Sequence, residues 1–371
     1  MVFGLKRVVL VTLAVFLLIS LCAVGFSSCA SLSLYSEGDG GLKVVSTIFP
    51  LFDFAREVGG ERVSLTLLQD NGTDLHNYTP TSATLDALSS ADVLIFVGGV
   101  SDEAWIDDAI AASGNDKLIK LCLMDYIEPV HAEISEDWQG EEHEHEGEGE
   151  HEGEHGDEHG DEHDDGHEGD DGHEGDDGHE GDDGHEHGGS HDGHDHLADE
   201  HVWTSVRNAM TMTEAICEAF SSADADGAEY YSARAQDYIQ RLSLLHGELE
   251  EIFENRKESM AVVADRFPFV YLFHDYHVPY LAAFSGCSTE TRASFDTQLT
   301  LIKAVRDNSL SCVLVTESGD GILAKTVSVE TGCFIVAIDS MQSVKRADIE
   351  GGATYISIMQ KNISVLREVF S

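Results

Sequence analysis

The chain has 371 residues and a formal net charge of −49, from 70 acidic residues against 21 basic ones. A surface with this charge repels nucleic acid and anionic lipid and attracts cations, so the sequence excludes nucleic-acid binding as a function. Hydrophobic residues make up 42% of the chain, which at this length is enough for two domains.

The first 28 residues have the pattern of an export signal. A basic dipeptide precedes an apolar stretch over 8–26, and Cys29 follows two serines, as at a lipoprotein processing site. We therefore predict a signal peptide over 1–28, a lipidated Cys29 and a tether over 29–41. An uncleaved anchor is the alternative, because about 19 apolar residues can just span a bilayer. Both alternatives predict a membrane-tethered chain in the cell envelope, on the outer face of the cytoplasmic membrane.

From residue 42 the sequence alternates between strand-like and helix-like runs, which predicts parallel βαβ units. The predicted strands cover 42–48, 62–68, 93–97 and 117–123. The predicted helices between them cover 50–58, 81–89 and 103–112. Together these elements predict an N-terminal α/β lobe over 42–205, which one unusual segment interrupts.

That segment, over 136–200, holds 30 acidic residues and neither lysine nor arginine, and the motif GHEGDD occurs in it three times in register. The remaining 40 acids against 21 bases give −19, so the segment carries most of the charge imbalance. It has almost no residue suited to a core, which predicts disorder. Between Glu141 and His196 it also carries 14 of the 20 histidines. This favours a flexible, low-affinity collector of metal ions, with a solvated spacer as the alternative.

A helical region over 206–257 follows, and apolar residues recur at three- and four-residue steps along a helix over about 228–255. Such a helix spans about 42 Å, enough to link two lobes as a rigid spine. The C-terminal lobe, over 258–371, again alternates strands with helices. Its predicted strands cover 269–273, 311–316 and 333–338, and its predicted helices cover 299–307, 323–331 and 354–370. The predicted fold is two α/β lobes with parallel sheets, bridged by the long helix, with a metal site in the cleft between them.

Six histidines lie outside the acidic segment: His76, His131, His201, His246, His274 and His277. Three of them, His76, His201 and His274, follow or precede predicted strands of different βαβ units. Because parallel sheets gather the carboxyl ends of their strands at one edge, we expect these three to converge there. Three imidazoles suit zinc, copper, iron or nickel better than magnesium or calcium. A single loop histidine is more often a surface or capping residue, so the prediction depends on the arrangement of all three. We expect His246, in the middle of a helix, to face solvent.

The seven cysteines include no CxxC pair, so a thiolate zinc cluster or a thioredoxin-like motif is excluded. An exported protein can form disulfides. Cys312 and Cys333 each begin an apolar strand-like run, and we predict that they form a disulfide.

Seven motifs in chain order carry a family resemblance: VVSTIFPLFDFAREVGG, LHNYTPT, ADVLIFVGG, DEHVWTS, FHDYHVPY, VTESGD and ETGCFIVAID. With them the chain resembles, over about residues 42–371, the zinc- and manganese-binding receptors of ABC importers. The resemblance implies a two-lobed protein with a rigid linking helix, which binds an ion and delivers it to the permease and ATPase subunits of an importer. The acidic histidine-rich loop just before DEHVW is typical of zinc-type members, so zinc is the expected ion and manganese the alternative.

The resemblance also implies the metal ligands, which are His76, His201, His274 and Asp339. Manganese-type members tend to have a carboxylate at the position of His274, which again favours zinc. Three nitrogens and one carboxylate oxygen can form a tetrahedral zinc site. The chain departs from the family pattern at Thr79, at Val206 and after Glu317, and these positions concern the shape of the cleft.

Two other functions are compatible with parts of the sequence. A metal-dependent hydrolase would need a general base beside an open zinc site, and Asp275 or Glu317 could provide it. The sequence has neither HExxH nor GxSxG, so we predict that the protein is not an enzyme. A metal buffer or adhesin without a transporter is the other alternative, because no motif identifies a docking surface for a permease.

Overall fold

The computed structural model describes residues 34–70, 72, 75–131, 198–288 and 292–371. The predictions for the signal peptide, for Cys29 and for most of the acidic segment therefore lie outside the described residues. Within the described residues, no helix combines the length and the apolar character needed to cross a membrane.

The N-terminal lobe contains a five-stranded sheet with the strand order β1-β3-β2-β4-β5. Its strands are β1 (Tyr35–Glu37), β2 (Leu42–Ser46), β3 (Val63–Leu67), β4 (Val93–Phe96) and β5 (Ile119–Cys122). Four of them are parallel, and β1 pairs antiparallel with β3 at the edge. The predicted tether over 29–41 thus extended too far, because Tyr35 to Glu37 make ladder hydrogen bonds with the sheet.

The C-terminal lobe contains a parallel sheet with the strand order β7-β6-β8-β9. Its strands are β6 (Ala261–Phe267), β7 (Tyr280–Ser285), β8 (Cys312–Thr316) and β9 (Phe334–Ile338). The prediction of a strand over 269–273 was wrong, because the strand before it, β6, ends at Phe267 and a short helix, α7 (Val270–Asp275), follows. An apolar run of five residues is compatible with either a strand or a buried helical turn, and here the sheet position is already filled by β6.

The remaining helices flank the two sheets. They are α1 (Phe49–Gly59), α2 (Ser82–Ser90), α3 (Val100–Glu103), α4 (Ile106–Ser113), α5 (Val206–Ala223), α6 (Ala228–Glu254), α8 (Phe295–Asp307), α9 (Ile322–Thr331), α10 (Arg346–Glu350) and α11 (Tyr355–Phe370). Local sequence sets several of their starts: Pro50 lies in the first turn of α1, and Ser205 and Thr354 accept hydrogen bonds from backbone N–H groups of α5 and α11. Two βαβ-type lobes with largely parallel sheets confirm the predicted fold class.

The linking helix α6 contains 27 residues, which corresponds to about 40 Å. Its buried face repeats at helical spacing, with Tyr231, Tyr238, Leu242 and Leu249 almost fully buried. It packs against α1 and α5 on the N-terminal side and against α11 on the C-terminal side. One apolar stripe therefore belongs to a core that both lobes share, which favours a fixed relation between them.

Direct hydrogen bonds also join the two lobes beside the cleft. The Trp203 indole N–H donates to the Ser340 carbonyl at 2.8 Å, and the Tyr355 hydroxyl donates to the Trp203 carbonyl at 2.9 Å. The Asp53 carboxylate accepts the Tyr355 backbone N–H at 2.7 Å and pairs with Arg56. Burial raises the pKa of Asp53 to about 6 although Arg56 opposes that shift.

The predicted disulfide between Cys312 and Cys333 is not formed, and both thiols are free. Cys312 pairs in the β8–β9 ladder with Phe334, so Cys333 is one residue out of register. Successive residues of a strand point to opposite faces of its sheet. Accordingly Cys312 packs in the core that contains Leu314, and Cys333 packs in the core that contains Val313.

Candidate metal centre

Donor atoms of His76, His201 and Cys287 lie within 4.8 Å of one another. In the part of the chain that the structure describes, this is the one group of three or more histidine, cysteine, aspartate or glutamate side chains with ligand atoms this close. His76 and His201 come from the N-terminal lobe, and Cys287 follows β7 of the C-terminal lobe. The group therefore draws its members from both sides of the cleft.

His201 is fully buried and is held by the residue two positions before it. The Asp199 Oδ1 atom contacts the His201 Nδ1 atom at 2.8 Å and also accepts the His201 backbone N–H at 2.8 Å. This bond places the Nδ1 proton toward Asp199 and leaves the lone pair of Nε2 for a metal ion. Among the described residues, the buried Nε2 has no hydrogen-bond partner of normal geometry. A buried polar nitrogen without a hydrogen-bond partner destabilises the fold unless a bound ligand interacts with it.

The electrostatic surroundings of His201 favour a positive charge on its ring. Burial by itself lowers the pKa of His201, but the charge and hydrogen bond of Asp199, together with Cys287, raise that pKa well above its usual value. In the metal-free chain these neighbours therefore stabilise a proton on the ring. A metal cation that binds Nε2 displaces the proton and gains the same attraction.

His76 is held from the other side of the group. It lies in a single 3₁₀ turn, Leu75–Asn77, and its Nδ1 atom contacts the Ser101 Oγ atom at 2.6 Å. The Glu200 Oε2 atom lies 3.7 Å from the same nitrogen, and Glu200 Oε1 accepts the Ser101 backbone N–H at 2.9 Å. The rings of His76 and His201 are 5.4 Å apart. Ser101 and Glu200 thus fix the orientation of the His76 imidazole.

Glu200 adds buried negative charge to the group. It is 3% exposed, and its Oε2 atom makes no hydrogen bond to any described residue. The glycine at position 99 gives it room, because a Cβ atom there would lie 2.7 Å from Glu200 Cγ. Asp102 lies nearby, and burial, with a smaller contribution from Glu200, raises its pKa to about 7. Carboxylates buried beside two imidazoles make this a place where a cation is electrostatically favoured.

Cys287 was not among the sequence-predicted ligands. It is a free, partly exposed cysteine that follows β7 directly after Gly286. Gly286 allows the close approach to the histidine, since a Cβ atom at this position would lie 2.8 Å from Cε1 and Nδ1 of His201. The sequence analysis missed it because β7 was not among the predicted strands, so Cys287 was not recognised as a potential ligand at the carboxyl end of a parallel strand.

His274 does not join the group, which corrects the prediction for this residue. It is exposed on α7 and lies next to His277, with the two rings 6.5 Å apart. The prediction assumed a strand over 269–273, which would have placed His274 at the carboxyl edge of the sheet. In the helix that the chain forms instead, Phe273 points into the core and His274 points to the surface.

Asp339 follows β9 and also lies outside the group of donor atoms. Its Oδ1 atom accepts the Met341 backbone N–H at 2.8 Å, and its backbone forms two hydrogen bonds with the Asn362 side chain. Burial raises the pKa of Asp339. The side chain borders a cavity of about 680 Å³ together with Glu317, Lys345 and Lys361. The predicted set of four ligands is therefore not assembled in this structure.

Two of the described residues that were assigned to the disordered segment over 136–200 belong instead to the metal centre. Asp199 and Glu200 are both buried, and each contacts one of the two histidines of the group or its partner serine. Their acidic character matched the preceding segment in composition, but both side chains are buried and hydrogen-bonded.

Two imidazole nitrogens and one thiolate form a donor set that zinc accepts well. Zinc binds cysteine sulfur at about 2.3 Å and histidine nitrogen at about 2.0–2.1 Å, usually with four ligands in a tetrahedron. The three donors leave one position of that tetrahedron for exchange. A thiolate is a soft ligand that favours zinc over manganese, which prefers carboxylate and carbonyl oxygens.

Comparison with known proteins identifies related chains. The profile of the family described as "ZnuA: Zinc-uptake complex component A periplasmic" matches residues 44–369. The zinc-binding lipoprotein AdcA of Streptococcus pneumoniae is 26% identical over 354 residues, which are 95% of this chain and 60% of AdcA. The metal ABC transporter substrate-binding lipoprotein ScbA of Streptococcus cristatus is 25% identical over 356 residues, which are 95% of this chain and 97% of ScbA.

Solved structures share the fold. The crystal structure of the Zn(II)-bound ZnuA-like domain of Streptococcus pneumoniae AdcA superposes with a TM-score of 0.62 at 21% identity, and covers 89% of this chain and 99% of that domain. At this identity the likeness concerns the fold. The chain spans about 60% of the length of the AdcA proteins that it matches.

Proposed function

The chain belongs to the family of periplasmic zinc-uptake complex component A proteins, and on this basis we propose that it is an extracytoplasmic receptor that captures zinc and delivers it to an ABC importer. The relatives named zinc-binding lipoprotein and metal ABC transporter substrate-binding lipoprotein support zinc as the cargo and an importer as the partner. Their names also support a lipid anchor, which here would be at Cys29. The permease and ATPase subunits of the importer are the proposed docking partners.

We propose His76, His201 and Cys287 as the zinc ligands. The observation that carries this proposal is the buried Nε2 atom of His201, which lacks a hydrogen-bond partner of normal geometry among the described residues and belongs to the group of donor atoms that lie within 4.8 Å of one another. His274 and Asp339 are not part of this ligand set. Ligands from both lobes let the bound ion hold the cleft in one arrangement, which a permease can recognise.

A receptor fits the surroundings of the site better than a hydrolase does. A hydrolase needs a general base that can reach a water molecule on the metal. Of the two bases that the sequence suggested, Asp275 accepts a hydrogen bond from the Ser205 hydroxyl at 2.5 Å. Glu317 accepts hydrogen bonds from the Ser340 backbone N–H and hydroxyl, both at 2.8 Å. Both carboxylates are thus engaged in structural contacts, and neither belongs to the group of donor atoms.

Zinc titration of the full chain with a competing chelator tests the proposal, with His201→Ala as the variant and His246→Ala as the matched control. His246 is a partly buried histidine whose ring binds the Tyr276 hydroxyl at 2.8 Å, and it is not among the three donors. We expect His201→Ala to abolish the tightest zinc binding and His246→Ala to leave it unchanged. Equal losses in both variants would contradict the proposed ligands.

Delivery is tested in cells that depend on this receptor. We expect the His201→Ala variant to fail to restore growth when zinc is scarce and to match the wild type when zinc is plentiful. If low concentrations of manganese, and not of zinc, restored growth of cells with the wild-type receptor, zinc would be contradicted as the cargo.

A further inference from the structure

Three histidines outside the metal centre share one cavity. Of the six described histidines, His76 and His201 belong to the centre, and His246 binds Tyr276. The other three, His131, His274 and His277, are all exposed, and all line a single cavity of about 530 Å³. His274 and His277 are three residues apart at the end of α7, whereas His131 comes from a distant part of the chain.

The geometry of the cavity suits a weak and adjustable site. The ring centroids of His274 and His277 are 6.5 Å apart, whereas the centroids of two imidazoles on one tetrahedral zinc ion are about 5 Å apart, given Zn–N distances of about 2.0–2.1 Å. Since the rings are exposed, rotation of the side chains can close this gap. The backbone of His277 has a φ of 51°, a conformation that non-glycine residues rarely adopt, and its N–H donates to the His274 carbonyl at 3.2 Å. This tight turn keeps the two histidines on neighbouring parts of the surface.

The residue before His131 is hydrogen-bonded to a residue beside the metal centre. The Asp199 backbone N–H donates to the Val130 carbonyl at 2.9 Å. The Tyr271 hydroxyl accepts the Val130 N–H at 3.3 Å and donates to the Asp199 carbonyl at 2.9 Å. His131 is the next residue after Val130, and Asp199 contacts His201 through its carboxylate. One group of hydrogen bonds thus connects the edge of this cavity to a ligand of the metal centre.

We propose that His131, His274 and His277 form a second, weaker binding site for zinc or another divalent ion that prefers imidazole. Three exposed imidazoles are suitable ligands for such ions, and because none of these ligands is a thiolate or buried, the binding is weaker than at the metal centre. Along the chain, the stretch with 14 histidines lies between His131 of this site and His201 of the metal centre. The proposal depends on the described histidines and is independent of the ligands proposed for the metal centre.

Histidine modification of the full chain with diethyl pyrocarbonate, read by mass spectrometry, tests this site. Trypsin releases residues 267–292 as one peptide that contains His274 and His277, and residues 242–256 as another that contains His246 as the control. We expect the first equivalent of Zn²⁺ to leave the modification rates of His274 and His277 unchanged. Further Zn²⁺ should lower both rates several-fold without changing that of His246.

Two variants make the outcome decisive. Cys287→Ala should weaken the tightest binding and leave the protection of His274 and His277 unchanged, so failure of the metal centre is distinguished from failure of this site. His131→Ala should leave the tightest zinc binding unchanged and reduce the protection of His274 and His277, because it removes one ligand of the second site only. Protection that is complete with the first equivalent, or that is absent at every Zn²⁺ concentration, would overturn the proposal. Protection that is unaffected by His131→Ala would equally overturn it.

Discussion

Replacing Cys287 by alanine removes the single sulfur donor of the metal centre and leaves the rest of the fold in place. Cys287 is partly exposed in a turn after β7, so its side chain contributes little to either core. The two imidazoles remain, with their rings 5.4 Å apart, and the Asp199 and Glu200 carboxylates keep their positions. The variant therefore isolates the contribution of the thiolate to zinc binding.

The size of the effect follows from the binding free energy of a typical zinc site. Four protein ligands give about 10–16 kcal/mol in total, so one ligand contributes about 2.5–4 kcal/mol. Because 1.4 kcal/mol corresponds to a tenfold change in Kd, Cys287→Ala should raise the Kd for zinc by about two to three orders of magnitude. The ratio of zinc to manganese affinity should fall as well, since the thiolate is the ligand that manganese does not favour.

Competition with a chromophoric chelator measures the Kd, at free zinc concentrations too low to fill the histidine-rich segment. Cys217→Ala is the control, because Cys217 is another free, partly exposed cysteine, located on α5 and outside the group of donor atoms. Cd²⁺ provides an independent signal, a thiolate-to-metal charge-transfer absorption that the wild type and Cys217→Ala should display and Cys287→Ala should lack. A Kd within a few-fold of the wild type, with this absorption retained, would refute a role of Cys287 as ligand.

Asp199→Asn should weaken zinc binding by about 10- to 100-fold while the thermal unfolding temperature stays close to that of the wild type, because the carboxylate orients the His201 ring and supports its basicity. Gly286→Ala should weaken zinc binding too, since its Cβ atom would meet the His201 ring at 2.8 Å, and unaltered affinity would contradict this close approach. Zinc affinity should fall as the pH decreases, because the pKa of His201 is raised in the metal-free chain and its proton must leave before zinc binds. Each pH unit below that pKa should lower the zinc affinity by about tenfold for this proton alone. Titrations from pH 8 to pH 6 check the slope, and a flat profile would exclude His201 as a ligand. Deletion of 141–196 should reduce the number of zinc ions bound per chain and preserve the tightest one, because the hydrogen bond between Asp199 and Val130 remains.

Local sequence was sufficient for most of the architecture. The periodicity of apolar residues predicted a helix over about 228–255, and the structure has α6 from Ala228 to Glu254. The same is true of the apolar strands of both lobes, with the exception of β1, β6 and β7. These features are predictable because the spacing of apolar residues decides which face of an element can be buried. His76 and His201 were also identified from motifs next to such elements, and the structure brings them together.

The short apolar stretches required tertiary information. Residues 269–273 read equally well as a strand or as a buried turn of helix, and only the presence of β6 before them decides for the helix. That difference moves His274 from the expected edge of the sheet to an exposed surface. In the same way, Cys333 lies one residue before Phe334, the ladder partner of Cys312, and this offset puts the two cysteines on opposite faces of the sheet, which a strand-by-strand prediction could not specify.

The sequence by itself therefore determined the two lobes, the linking helix, the family and two of the three proposed ligands, because each of these depends on local pattern or on motifs in chain order. The third ligand was decided only by the tertiary structure. Cys287 joins His76 and His201 because β7 ends beside the buried His201 and because Gly286 has no side chain to keep the two apart. Which side chains meet in a cleft depends on where strands from two different lobes end in space, and neither composition nor spacing along the chain contains that distance.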